Sequence, residues 1–217
     1  MAGACIEGLV LFGVAVVAAR LEGAAVAARL GLGPSRATSR GAAAAVLGLL
    51  GLNFACSAAL ELAGVSSEGV MDVLGRALRG TGPAGLLLGV VTIGIVPALG
   101  EEVLFRGLLQ RRLAAHAGRW PAIVVTSAAF GVFHRDLLQG TVAFVAGLLL
   151  GWTADRLGGI RPVICAHAVN NAAFVLLASV GAAGAQPAGA ALVSLSAGAA
   201  VLAATAAVLG RAGSVES

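Results

Sequence analysis

Charge is what this chain has least of. Asp, Glu, Lys and Arg make up 11% of its 217 residues against 59% hydrophobic ones, and the mean hydropathy is +0.99. A soluble domain carries about 25% charged residues, so the composition excludes that class and points to an integral membrane protein. Lysine and tyrosine are absent, and all 14 basic residues are arginine. With Ala and Gly so abundant, this is the mark of a GC-rich genome and says nothing of function. The net charge of +4 and pI near 10.2 come from scattered arginines, with only 4% aromatics to interleave, so nucleic-acid binding has no support. Cys5, Cys56 and Cys165 have no CxxC spacing and lie in apolar stretches, which predicts buried free thiols rather than a disulfide or metal site. No basic region precedes the first apolar stretch, which carries Glu7 and reads as a span rather than a cleaved signal. Neither period-2 alternation nor a repeat of fixed length appears. The 32 glycines are ordinary in membrane helices, where small residues let backbones approach closely.

What is present is a series of apolar helices. At about 20 residues per span, the length allows seven or eight of them with short loops and no second soluble domain. The expected fold is all-α, a polytopic transmembrane bundle over residues 1–217, localised as a multi-pass protein of a bacterial inner membrane with the lipid bilayer as its surroundings. The first span runs from Cys5 to Ala19 and continues as a helix past Arg20, Glu22 and Arg29, and the second runs from Gly41 to Ala63, interrupted by Asn53, which reads as interhelical glue. Glu68, Asp72, Arg76 and Arg79 are spaced like the wet face of a helix lying at the interface. Pro83 opens a third span, with Pro97 and Gly100 predicting a break before a separate helix from Glu101 to His116. Three further segments follow, Trp120 to His134, Leu137 to Thr153 and Pro162 to Val180. The last span, Ala188 to Leu209, carries no chemistry. His116, at a basic helix end, reads as a surface residue.

Against that background the stretch Glu101-Glu102-Val-Leu-Phe-Arg106 stands out. An ionisable group inside a span costs at least about 2.5–3.5 kcal/mol on insertion scales, so it marks function by default. On a helix Glu102 and Arg106 share a face at i, i+4, while Glu101 points about 100° away and is left free. One glutamate held by arginine and one available for chemistry is the natural reading. Two of the three histidines also lie in apolar segments, as Phe130-x-x-x-His134 and His167-x-x-x-Asn171, each pair on one helix face. Neither a serine nucleophile elbow nor a His-Glu-x-x-His zinc motif occurs. Glu101 with His134 can activate a water for attack on a peptide carbonyl, and His167 with Asn171 can donate to the oxyanion that develops. The competing assignment makes Glu101, His134 and His167 ligands of a zinc ion, since two histidines and a carboxylate form a catalytic set.

Taken in order on separate apolar helices, these three motifs resemble those of the CAAX-protease and bacteriocin-processing family of membrane-embedded endopeptidases, over roughly Pro83 to Val180. The resemblance implies a helix bundle with a membrane-embedded active-site cavity that cleaves a membrane-associated or C-terminally anchored protein or peptide. It implies that Glu101 and His134 activate water, that His167 and Asn171 form the oxyanion hole, and that Glu102, Arg106 and Phe130 support the site. It implies no obligatory cofactor, with zinc as the alternative. Two readings from other classes are a non-catalytic peptide-binding or immunity protein and a small proton-coupled transporter. The arginines between Arg20 and Arg40 place that loop in the cytoplasm. Counting predicted spans onward then puts Arg111, Arg112 and Arg119 on the opposite side, unless the Glu101 helix is re-entrant or interfacial.

Overall fold

A computed structural model of the chain describes residues 2–23, 25–65, 70–179 and 188–212. These form helices α1 (Ala2–Leu21), α2 (Val26–Arg29), α3 (Ser39–Leu62), α4 (Val70–Leu78), α5 (Pro83–Ala117), α6 (Arg119–Phe133), α7 (Leu137–Leu157), α8 (Arg161–Ser179) and α9 (Ala188–Ala212). Among the described residues there is no strand. Six helices, α1, α3, α5, α7, α8 and α9, are long and apolar enough to span a bilayer, and α6 is a shorter apolar one. Outward faces are apolar as well: Ile6, Leu9, Val10, Val14 and Val17 on α1 are all more than half exposed. A surface of that kind is stable only against lipid. The all-α multi-pass bundle expected from composition is what the chain forms.

The predicted break at Pro97 and Gly100 does not occur. Residues 83–117 run as one 35-residue helix, about 52 Å long at 1.5 Å per residue, enough to cross the bilayer and extend beyond it. The physical reason lies just before the proline. Residues Val90–Ile95 adopt a wider π-helical turn, and a second such stretch, Val103–Gln110, follows the glutamates. A π-turn absorbs the lost N–H of an internal proline without ending the helix.

Continuity of α5 also removes the conflict over sidedness. Arg111 Nε donates to the Arg29 carbonyl at 3.2 Å, and both Arg29 and Arg112 pair with Glu22. Arg119 lies 3.4 Å from Asp155, the Arg36 N–H donates to the Leu157 carbonyl at 2.9 Å, and Arg156 reaches the Gly210 carbonyl at 3.3 Å. The arginine-rich helix ends and loops therefore gather at one end of the bundle. Of the 14 arginines only Arg76, Arg79, Arg106 and Arg135 lie elsewhere. His116 is exposed at this end, as expected, beside a cavity of about 510 Å³ lined by Arg29, Arg111 and Arg112.

Two smaller expectations need adjustment. The first helix does not run on past Arg29: α1 ends at Leu21, Gly23 takes a left-handed φ of 71°, and a separate short helix, α2, follows. All three cysteines are unpaired, but Cys165 is exposed on α8 rather than buried. The amphipathic connector forms α4, whose Leu78 packs with Val175 and Ala178 of α8 while Arg76 and Arg79 face outward; Glu68 lies outside the described residues.

Glycine contacts set how closely the site helices approach. A Cβ on Gly8 of α1 would stand 2.7 Å from the Val96 carbonyl oxygen and 2.9 Å from the Pro97 Cα, and one on Gly100 would strike the Gly8 backbone. Helix α1 thus crosses α5 backbone to backbone, directly beside Glu101. On the other side of the site, a Cβ on Gly131 of α6 would meet the Gly140 carbonyl of α7 at 2.7 Å. Gly100→Ala is expected to force α1 away and to cost about 1–3 kcal/mol as overpacking does. Thermal unfolding in detergent would show it, and an unchanged midpoint would mean that this crossing is not rigid.

Candidate active site

Helices α5, α6 and α8 supply the polar groups. Glu102, the last residue before the second π-helical stretch of α5, is fully buried. Its Oε1 accepts from Arg106 Nη1 at 2.7 Å, the i, i+4 pair expected from sequence. The same oxygen lies 2.8 Å from Nδ1 of His167, across on α8. Glu102 is therefore more than a counter-ion for arginine. It clamps a histidine 65 residues away, a contact that no local spacing announces. Arg106, 1% exposed, spreads its guanidinium 4.4 Å from the centroid of Phe130 on α6, a cation–π contact within a desolvated site. Room for it comes from Gly147 of α7, where a Cβ would stand 3.2 Å from Arg106 Nη2.

Glu101 is placed quite differently. It makes no clamp of this kind: its Oε2 is 3.7 Å from His167 Nε2, and 13% of its side chain remains accessible. His167 thus has one ring nitrogen on each of two adjacent carboxylates. Since Nδ1 carries its proton toward Glu102, only Nε2 is left to face Glu101 and whatever lies beside it.

His134 caps the end of α6. Its Nδ1 is 2.9 Å from the Phe130 carbonyl, which can only accept, so in the neutral ring the proton sits on Nδ1 and Nε2 presents a lone pair. The next residue, Arg135, stops the helix in the left-handed region at φ 55°, and Asp136 caps α7 by accepting from the Gln139 N–H at 2.7 Å. This sharp turn holds His134 at the helix end. Phe130 touches both imidazoles edge-on, with ring centroids 4.8 Å from His134 and 6.0 Å from His167. Behind it, Phe105 packs at 5.1 Å and fixes its tilt.

The structure therefore brings Glu101, Glu102, Arg106, Phe130, His134 and His167 together, with Asn171 one helical turn beyond His167 on α8. Asn171 is partly buried and accepts a hydrogen bond from the Asn170 side chain at 3.4 Å. Two residues that the motif reading left aside also reach this region. Glu7 of α1 lies 3.7 Å from Arg135, one residue from the Gly8 crossing. Asn53 of α3 donates to Asn170 at 2.7 Å. The signal for both was in plain view, a lone acid and a lone amide in apolar helices, but nothing in their spacing tied them to the glutamates.

Residues 83–173 match the family described as Rce1-like, type II CAAX prenyl endopeptidase. No curated protein and no solved structure matches the chain. The Rce1-like segment contains every one of the seven motif residues and begins where α5 begins, while α1, α3 and α9 lie outside it. The match, together with the long apolar helices that carry it, supports a CAAX-type intramembrane endopeptidase.

Proposed function

We propose that the protein hydrolyses a peptide bond of a membrane-associated or C-terminally anchored protein or peptide with a water activated by Glu101 and His134. The observation that carries this reading is the asymmetry of the two adjacent glutamates. Glu102 is spent on Arg106 and His167, and Glu101 stands partly accessible beside them. In the proposed step, a water held by Glu101 and the Nε2 lone pair of His134 gives its proton to Glu101 as its oxygen attacks the scissile carbonyl carbon. The oxyanion accepts from His167 Nε2–H and from the Asn171 amide. With Nδ1 already donating to Glu102, the His167 ring must carry both protons to act in this way. Glu101 then returns the proton to the leaving nitrogen as the C–N bond breaks.

Zinc is the rival. Among the described residues no group of three or more His, Cys, Asp or Glu side chains is placed to hold a metal ion, so Glu101, His134 and His167 do not fit a ligand set as they stand. The reaction is accordingly written without one. The proposed orientation puts the arginine-rich end in the cytoplasm, by the excess of positive charge there.

The test is cleavage of a membrane-peptide library by the purified protein, with and without a strong chelator. Cleavage that proceeds at the same rate in chelator supports the glutamate–water reading. Loss in chelator, with recovery on adding zinc, would transfer Glu101, His134 and His167 to the ligand role. A wild type that cleaves nothing in the library while binding its peptides would count for a peptide-binding protein.

A further inference from the structure

Asn53 lies on α3, outside the Rce1-like segment, and a half-buried amide there is readily dismissed as packing. Its bonds say otherwise. Asn53 Nδ2 donates to the Leu49 carbonyl at 3.2 Å and to Asn170 Oδ1 at 2.7 Å, and Asn170 Nδ2 donates in turn to Asn171 Oδ1 at 3.4 Å. The direction of this chain does not depend on how any single amide is drawn. A backbone carbonyl can only accept, so Asn53 must turn its NH2 toward Leu49. Its second N–H then faces Asn170, which must answer with oxygen. Asn170 is left to offer its NH2 to Asn171, and Asn171 must answer with oxygen too. One consequence follows for Asn171: its oxygen is engaged, and both of its N–H donors are left to point elsewhere.

We infer that Asn53 and Asn170 are positioning residues that set the Asn171 amide so that it presents N–H, not C=O, to the oxyanion. An amide free to flip would offer an acceptor to a developing negative charge half of the time. The relay removes that choice, and donors aligned in series polarise one another toward its end. This inference rests on the role given to Asn171 above, so its test has two independent arms.

The first arm needs no activity. In the wild-type protein with labelled asparagine in detergent micelles, the side-chain NH2 protons of Asn53 and Asn170 are expected to exchange slowly and those of Asn171 rapidly. Rapid exchange at Asn53, or slow exchange at Asn171, overturns the relay. The second arm is kinetic. Asn53→Leu and Asn170→Leu should each lower kcat about 10- to 100-fold, as misplacement of a catalytic group does, with KM little changed. In an Asn171→Ala background neither should lower it further. A loss of equal size in both backgrounds, or one seen in KM alone, would make Asn53 a packing residue and overturn the inference. If the wild type cleaves no peptide, the endopeptidase reading fails and takes the catalytic use with it, while the exchange pattern still judges the relay.

Discussion

Glu101→Gln is expected to abolish measurable cleavage while leaving the fold intact. The substitution is isosteric and takes away only the capacity to accept and return a proton. General-base assistance is worth about 10²–10⁴-fold, and a loss on the order of 10³-fold is expected here. Stability should hardly move, because Glu101 is not the carboxylate that neutralises Arg106; that is Glu102. The measurement is a paired one, cleavage rate and thermal midpoint in the same detergent. Full activity in the variant would remove Glu101 from the reaction. A large fall in the midpoint would instead show that Glu101 shares the structural duty of its neighbour. The variant should still bind substrate, since the oxyanion donors and His134 are untouched, and the kcat-against-KM split separates it from a variant that merely closes the site.

How far this site could be read from the sequence follows from the range of each interaction. Glu102 with Arg106 is local, one helical turn, and the spacing alone gave the 2.7 Å pair. The same holds for His134 and Phe130, four residues apart on one helix. Glu102 with His167 is not local, and only the packing of α8 against α5 creates it. Packing of α8 against α3 likewise makes Asn53, the expected interhelical glue, one end of an amide chain. The error at Pro97 was of a different sort. Proline and glycine in succession are a breaker signal in a water-soluble helix, where a freed carbonyl finds solvent. In an apolar span the cheaper response is a wider turn, which keeps the backbone bonded, and α5 takes it twice. Recognising one long helix rather than two also brought Arg111 and Arg112 to the same end as Arg29, so an apparent violation of charge bias was a miscounted crossing.

The second large effect is expected at Arg106, and it should fall on stability first. Arg106→Leu leaves a fully buried carboxylate on Glu102 with His167 as its only remaining partner. Breaking a buried pair by removing one member costs about 3–5 kcal/mol, because the other charge stays desolvated and uncompensated. Lysine should not rescue it. An ammonium lacks the flat face that lies over Phe130, and its shorter reach to Glu102 comes without the planar fork. The double variant Glu102→Leu, Arg106→Leu separates the two duties of this pair. With both charges gone the burial penalty disappears, and the thermal midpoint should recover most of the loss. Cleavage should not recover with it, since His167 Nδ1 then has no acceptor to hold its ring and no carboxylate to stabilise the imidazolium. Recovery of activity together with stability would mean that Glu102 serves only to neutralise arginine, and that some other contact orients His167.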